Sequence, residues 1–186
     1  MRKTAVFLAI ALIVSGCIPG SMVKGGKSEM KLETVKNVDI ERYTGRWYEI
    51  ARFPSTFENG LVGVTAEYSV RKDGKIKVVN SGYKNSLDGE KKSIEGVAWV
   101  PKKSEPGKLK VRFFWPFSAD YWIIGLDREN YEWALVGNKS RKYLWILSRK
   151  PFMKDCLYGE IVELAKEKGF PVEYLETVEQ KIPENH

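Results

Sequence analysis

Between residues 45 and 148 the chain falls into eight short segments in which apolar and polar residues alternate: 45–53, 63–71, 75–83, 91–100, 108–115, 120–126, 131–137 and 143–148. Alternation with a period of two predicts half-buried β-strands, because successive side chains of a strand point to opposite faces. Turn residues separate several of them, as in Lys72-Asp73-Gly74, Leu87-Asp88-Gly89 and Glu105-Pro106-Gly107. Consecutive strands joined by such short connections form an antiparallel meander. Left open, a meander exposes two sticky edges; closed, it loses both and encloses room for one small ligand. The expected fold is therefore all-β: an eight-stranded antiparallel up-and-down β-barrel. The period changes after Pro151. Cys156, Leu157, Ile161, Leu164 and Ala165 recur at helical spacing, with Gly169 and Pro171 as stop signals. This one amphipathic helix must bury its stripe on the outside of the barrel, with Cys156 half-buried in that stripe. A ninth short extended piece fits 172–180.

The first strand reads "GRWYEIARFP" and places Trp47 beside Tyr48, so their rings point to opposite faces. One ring then plugs an interior while the other packs outside, as at the closed end of a small barrel.

The N-terminus has its own pattern. Arg2 and Lys3 precede an apolar run, Ala5 to Val14, too short to span a bilayer and suited to a signal-peptide core. It ends in Val14-Ser15-Gly16-Cys17, which resembles the lipobox of bacterial lipoproteins, cut before the cysteine and acylated on its sulfur. The expected organisation is a signal peptide at 1–16, a lipidated Cys17 with a flexible tether over 17–38, and one domain over 39–186. About twenty flexible residues reach roughly 25 Å. Ile18 stands where an Asp would signal inner-membrane retention, which favours the outer membrane. With Cys17 acylated, Cys156 is the only thiol left and no intramolecular disulfide can form.

The formal charge of +7 would permit weak attraction to anionic partners, but the lysines alternate with acids (KSEM, KKSEPGK, AKEKG), the pattern of a solvated surface. No nucleic-acid partner is expected. The single histidine is the terminal His186, so His-based nucleophile pairs and metal sites have no material. G-x-S-x-G, Walker and dinucleotide signatures are missing from the sequence. No enzyme, cofactor or metal is expected.

Gly45-Arg46-Trp47, then Leu126-Asp127-Arg128 before Tyr131, then Arg149 closing "YLWILSRKP" resemble, in that order, the motifs of the lipocalins. Longer stretches ("FENGL", "AEYSV", "GKIKVVN", "FFWPF") resemble the bacterial outer-membrane (Blc type) group of that family and its relative apolipoprotein D. The resemblance implies that Trp47 lies inside the closed end, with the Arg149 guanidinium across its indole, Gly45 passing tightly beneath, and Tyr48 facing the helix outside. Alternation counted from Trp47 then turns these residues inward: Glu49, Ala51 and Phe53; Ala66 and Tyr68; Ile76, Val78 and Asn80; Ile94, Gly96 and Ala98; Leu109, Val111 and Phe113; Tyr121 and Ile123; Ala134 and Val136; Trp145 and Leu147. Val111 and Phe113 are flanked by Lys110 and Arg112, whose charges must face water. An inward Glu49 must be protonated, paired or hydrated; a structural partner and a ligand head group are both open. The resemblance implies a membrane-anchored carrier of a fatty acid or lysophospholipid, serving envelope maintenance or stress survival. Its partners would be that ligand and the membrane through Cys17; a homodimer stays open. The alternatives are an envelope structural or assembly lipoprotein with a filled barrel, and a lipid-modifying enzyme.

Overall fold

The computed structural model describes residues 31–182; Cys17, the lipobox before it and His186 lie outside the described residues. The alternating segments form strands β1 (Gly45–Arg52), β2 (Leu61–Val70), β3 (Ile76–Lys84), β4 (Lys91–Trp99), β5 (Lys108–Arg112), β6 (Ala119–Leu126), β7 (Trp133–Gly137) and β8 (Leu144–Ser148). Each pairs antiparallel with the next. β8 returns to β1, which also pairs with β2, so the eight strands close into the expected up-and-down barrel. Trp47 stands opposite Ala66 and Glu49 opposite Leu147; residues paired this way share a face.

Turn chemistry sets the strand ends. Asp73 accepts from the Lys75 N–H at 3.1 Å, and Gly74 supplies φ +76°. β7 starts at Trp133 because Tyr131 (φ 59°) still belongs to the turn that Asp127 organises. The Asp127 carboxylate accepts from the N–H groups of Glu129, Asn130 and Glu132 at 3.2–3.3 Å. β5 ends at Arg112, earlier than the alternation suggests, as the chain leaves the sheet for the aromatic loop 113–118.

The β1–β2 seam is split. The two strands pair only from Gly45 to Tyr48. Beyond that, register shifts lie between Glu49 and Ala51 and between Val62 and Thr65, and the strands part. The C-terminal segment fills the gap: β9 (Glu176–Thr177) pairs with Ala51 and Arg52. Gly63 N–H then donates to the Glu179 carbonyl at 2.7 Å. The Gln180 side-chain amide donates to the carbonyls of Glu49 (2.7 Å) and Val64 (3.0 Å), which the split leaves without a β1–β2 partner.

A short helix α1 (Ile40–Tyr43) leads into β1, and α2 (Asp155–Glu167) packs outside the barrel. Ile161 and Ala165 of α2 are buried against Ile124, Leu135, Leu144 and Ile146, with Leu157 and Leu164 partly covered. Gly169 ends the helix at φ +80°, and Phe170 N–H closes back on the Ala165 carbonyl at 3.1 Å. Cys156 is exposed rather than half-buried. At 100° per residue it points well away from the Leu157–Ile161–Leu164–Ala165 stripe, and its apolar character does not override that angle. Residues 32–38, at the end of the expected tether, pack on the barrel: Leu32 and Val38 are buried, and Val35 N–H donates to the Ile123 carbonyl at 2.8 Å.

Candidate ligand-binding site

One end of the barrel is plugged. Trp47 is fully buried, its indole N–H donating to the Tyr43 carbonyl at 2.9 Å. The Arg149 guanidinium lies 3.9 Å from the centre of the Trp47 ring. Its N–H groups donate to the carbonyls of Tyr131 (3.2 Å), Arg46 (2.9 Å) and Arg42 (2.8 Å). A flat, delocalised cation does both jobs at once, stacking on a ring and bridging the chain ends around it. Gly45 sits beneath at φ +91°, where an added Cβ would come within 3.3 Å of the Arg149 Nη1. The glycine that opens the first strand therefore answers to both a left-handed backbone and a guanidinium that would crowd an added Cβ. Tyr48 faces outward as alternation requires, but not toward the helix. It lines a recess of about 680 Å³ on the outer wall with Thr65, Val79, Ser81 and Tyr83 of β2 and β3 and Gln180–Ile182 of the C-terminal segment.

The interior cluster gathers Trp47, Tyr68, Ile76, Val78, Ala98, Leu109, Ile123, Ala134, Val136 and Leu147, with Ala66, Val111, Phe113, Tyr121 and Trp145 partly buried against it. Those are inward positions expected from alternation. Small and large residues interlock there: the Phe113 ring lies where a Cβ on Gly96 would be, 2.6 Å from it. Above Trp47 three tyrosine hydroxyls meet, Tyr121 bonding Tyr43 at 2.8 Å and Tyr68 at 2.9 Å. Burial pushes all three phenols well above their ordinary pKa, so they remain neutral donors and acceptors.

Ala51 and Phe53 are corrections. Both pack in the outer cluster beneath α2, with Ile124, Leu144, Ile146 and Phe170, and not in the cup. The bulge between Glu49 and Ala51 inserts one residue, and every side chain after it changes face. The inward place passes to Arg52. Its Nη1 donates to Glu49 Oε1 at 2.7 Å, and its Nη2 to the carbonyls of Glu58 and Leu61, each at 3.0 Å. Glu58 reaches in from the β1–β2 loop. Its carboxylate accepts from Ser55 Oγ at 2.8 Å and from the Trp145 indole N–H at 3.3 Å. Glu49, Arg52 and Glu58 are all buried. Burial, and then the Glu58 charge, raise the Glu49 pKa to about 8 against the pull of Arg52; burial raises Glu58 as well. Alternation missed Arg52 and Glu58. The only trace in the sequence is that two acids and an arginine, Glu49, Arg52 and Glu58, fall within the ten residues 49–58, running from β1 into the loop after it. Asn80, also inward by alternation, has its Oδ1 buried and without a hydrogen-bond partner among the described residues.

The other end of the barrel carries the β1–β2, β3–β4, β5–β6 and β7–β8 loops, as an antiparallel meander dictates. Phe57 there is 61% exposed, and Phe114, Trp115 and Phe117 are 69%, 81% and 77% exposed. Inward Ala66, Asn80, Val111, Phe113, Tyr121 and Trp145 keep intermediate exposure. Among the described residues no three His, Cys, Asp or Glu side chains converge as a metal site.

A barrel plugged at one end by a tryptophan under a bridging guanidinium, and lined with apolar residues toward the other, is lipocalin architecture. The chain belongs to that family: the family model described as "Lipocalin-like domain" matches residues 38–180. Among its relatives, the outer membrane lipoprotein Blc of Vibrio cholerae is 40% identical over 178 residues, covering 95% of this chain and 99% of that protein. Apolipoprotein D of Macaca fascicularis is 37% identical over 145 residues, 70% of this chain and 75% of that protein. Insecticyanin from the tobacco hornworm Manduca sexta superposes with a TM-score of 0.64 at 22% identity, over 81% of this chain and 85% of that one. At that identity the likeness speaks for the fold.

Proposed function

We propose that the protein is a membrane-anchored carrier that binds a single-chain amphiphile, a fatty acid or lysophospholipid, in the barrel interior, and serves envelope maintenance or stress survival in the outer membrane. The observation that carries this reading is the incompletely buried inner wall. Ala66, Val111, Phe113, Tyr121 and Trp145 point inward yet are only partly buried, so apolar surface is left for a guest to cover. A fully packed barrel would bury all of it. Its apolar lining with a few polar groups suits an acyl chain carrying one polar end. The exposed aromatics Phe57 of the β1–β2 loop and Phe114, Trp115 and Phe117 of the β5–β6 loop stand at the open end and suit contact with the lipid from which such a guest would come. The lipobox ending in Cys17 supplies the anchor, and the name of the Vibrio cholerae relative agrees with it.

Binding is tested with the chain from residue 17 carrying Cys17→Ala, stripped of lipid and titrated with lysophospholipid and fatty acid while tryptophan fluorescence is followed. Val111→Arg puts a cation and extra bulk into the interior and should abolish binding, whereas Lys110→Ala on the outer face should leave it unchanged. A folded Val111→Arg protein that binds as well as its parent would remove the lipid from the barrel. Absence of binding by the parent would favour the filled-barrel structural role. Anchoring is tested in cells: Cys17→Ala should abolish diacylglyceryl modification in intact-mass data, and unchanged processing with the same lipid mass would refute the lipobox.

A further inference from the structure

The polar groups inside the barrel do not balance. Two buried carboxyl groups, Glu49 and Glu58, face one buried guanidinium, Arg52. Arg52 directs Nη2 to two backbone carbonyls and gives Glu49 a single bond. Glu58 accepts from the neutral donors Ser55 and Trp145 and shares a hydrogen bond with Glu49. Among the described residues, Tyr68 from β2 also interacts with both carboxyl groups, and Tyr121 from β6 is bonded to it. Both are neutral phenols, and β8 contributes the uncharged Trp145. With one carboxyl protonated the group is neutral; with both ionised it carries one uncompensated negative charge into an apolar cup. A second observation stands apart from this one. On β3, Asn80 presents a buried Oδ1 acceptor to the same interior with no donor from the described residues. A buried acceptor left alone is costly. The surplus carboxyl favours a cation and the Asn80 oxygen needs a donor; an ammonium N–H group supplies both.

We infer that Glu49 and Glu58, with Asn80, read the head group of the ligand, favouring single-chain amphiphiles that end in an ammonium and disfavouring those that end in a carboxylate. The inference rests on the carrier reading and narrows its single-chain amphiphiles by the charge of the head group. The exchange is balanced: the carboxyl O–H proton held by the pair leaves to solvent, and the ammonium takes its place as the counter-charge. A carboxylate head would add a third carboxyl group beside one arginine, and could enter only by bringing a further proton with it.

The test uses the same Cys17→Ala chain with three probes of one chain length: dodecylammonium, dodecanoate and neutral monolauroylglycerol. Dodecylammonium should bind at least about tenfold more tightly than dodecanoate at pH 7, one unpaired charge in a desolvated site being enough for that ratio. Its affinity should rise by up to about tenfold per pH unit from pH 6 and level off near the Glu49 pKa of about 8. Each variant is read as its ratio of dodecylammonium to monolauroylglycerol affinity, with near-ultraviolet circular dichroism as the check on fold. Glu58→Gln should lower that ratio about tenfold and flatten its pH dependence. Glu49→Gln should do the same, and it carries the test if Glu58→Gln does not fold. Equal affinity for dodecylammonium and dodecanoate, or an unchanged ratio in the folded variants, would overturn the inference while binding of monolauroylglycerol upheld the carrier. Failure of all three probes and of lysophospholipid to bind would overturn both.

Discussion

Arg149→Ala removes the side chain that stacks on the plug and bridges the chain ends around it. In the structure it loses three hydrogen bonds, to Tyr131, Arg46 and Arg42, and a guanidinium 3.9 Å from the Trp47 ring centre. A hydrogen bond from a charged donor to a carbonyl contributes about 1.5 kcal/mol when its acceptor stays dry. The Arg46 and Arg42 carbonyls lie at an exposed site and regain water in the variant, so their share falls to about 0.5 kcal/mol each. The Tyr131 carbonyl is part-buried and keeps a larger share, and the stacking contributes about 0.5–1 kcal/mol. The expected loss is about 2–3 kcal/mol. For a domain of this size that lowers Tm by roughly 5–10 °C. Thermal unfolding followed by circular dichroism measures it, and a form with Trp47 as the only tryptophan should show red-shifted emission once the guanidinium is gone. Arg149→Lys keeps the charge without the planar fork and should recover less than half of the loss. An alanine variant with unchanged melting and unchanged Trp47 emission would refute the closure role.

Ala51→Leu separates the two assignments of that residue. Beneath α2, where Ala51 is fully buried, the larger side chain should cost about 1–3 kcal/mol by overpacking and leave amphiphile affinity unchanged; blocked binding with normal melting would return Ala51 to the cup. Glu49 gives the pH dependence of stability. Its folded pKa, about 8, stands above the unfolded value, so the folded state holds more protons between the two. Stability from this group is full below about pH 4.5 and is lost as pH rises to about 8, at up to about 1.4 kcal/mol per unit. Glu49→Gln should level that slope in chemical denaturation series across this range; an identical slope in the variant would assign the proton elsewhere.

Period-two alternation and turn chemistry are local properties, and they carried most of the architecture: the strands, their order, their antiparallel sense and the outer helix. The reason is that a strand with one buried face must show its alternation whatever it pairs with, and a Gly at φ +76° after Asp73 turns the chain without outside help. The plug was legible too, through Gly45, Trp47 and Arg149, because its three members each need one residue type. Alternation failed where it depends on a neighbour. Whether residue 51 faces in or out is settled by the register of β1 on β8, and the bulge between Glu49 and Ala51 belongs to that pairing, so "YEIARF" carries no mark of it. One inserted residue moved Ala51 and Phe53 out under the helix and brought Arg52 in. The same holds for Glu58, which reads as a solvated loop acid until the loop folds over the barrel and sets it against Trp145, eighty-seven residues away. Buried charge is tolerable only with a partner, and only the closed barrel brings those partners together.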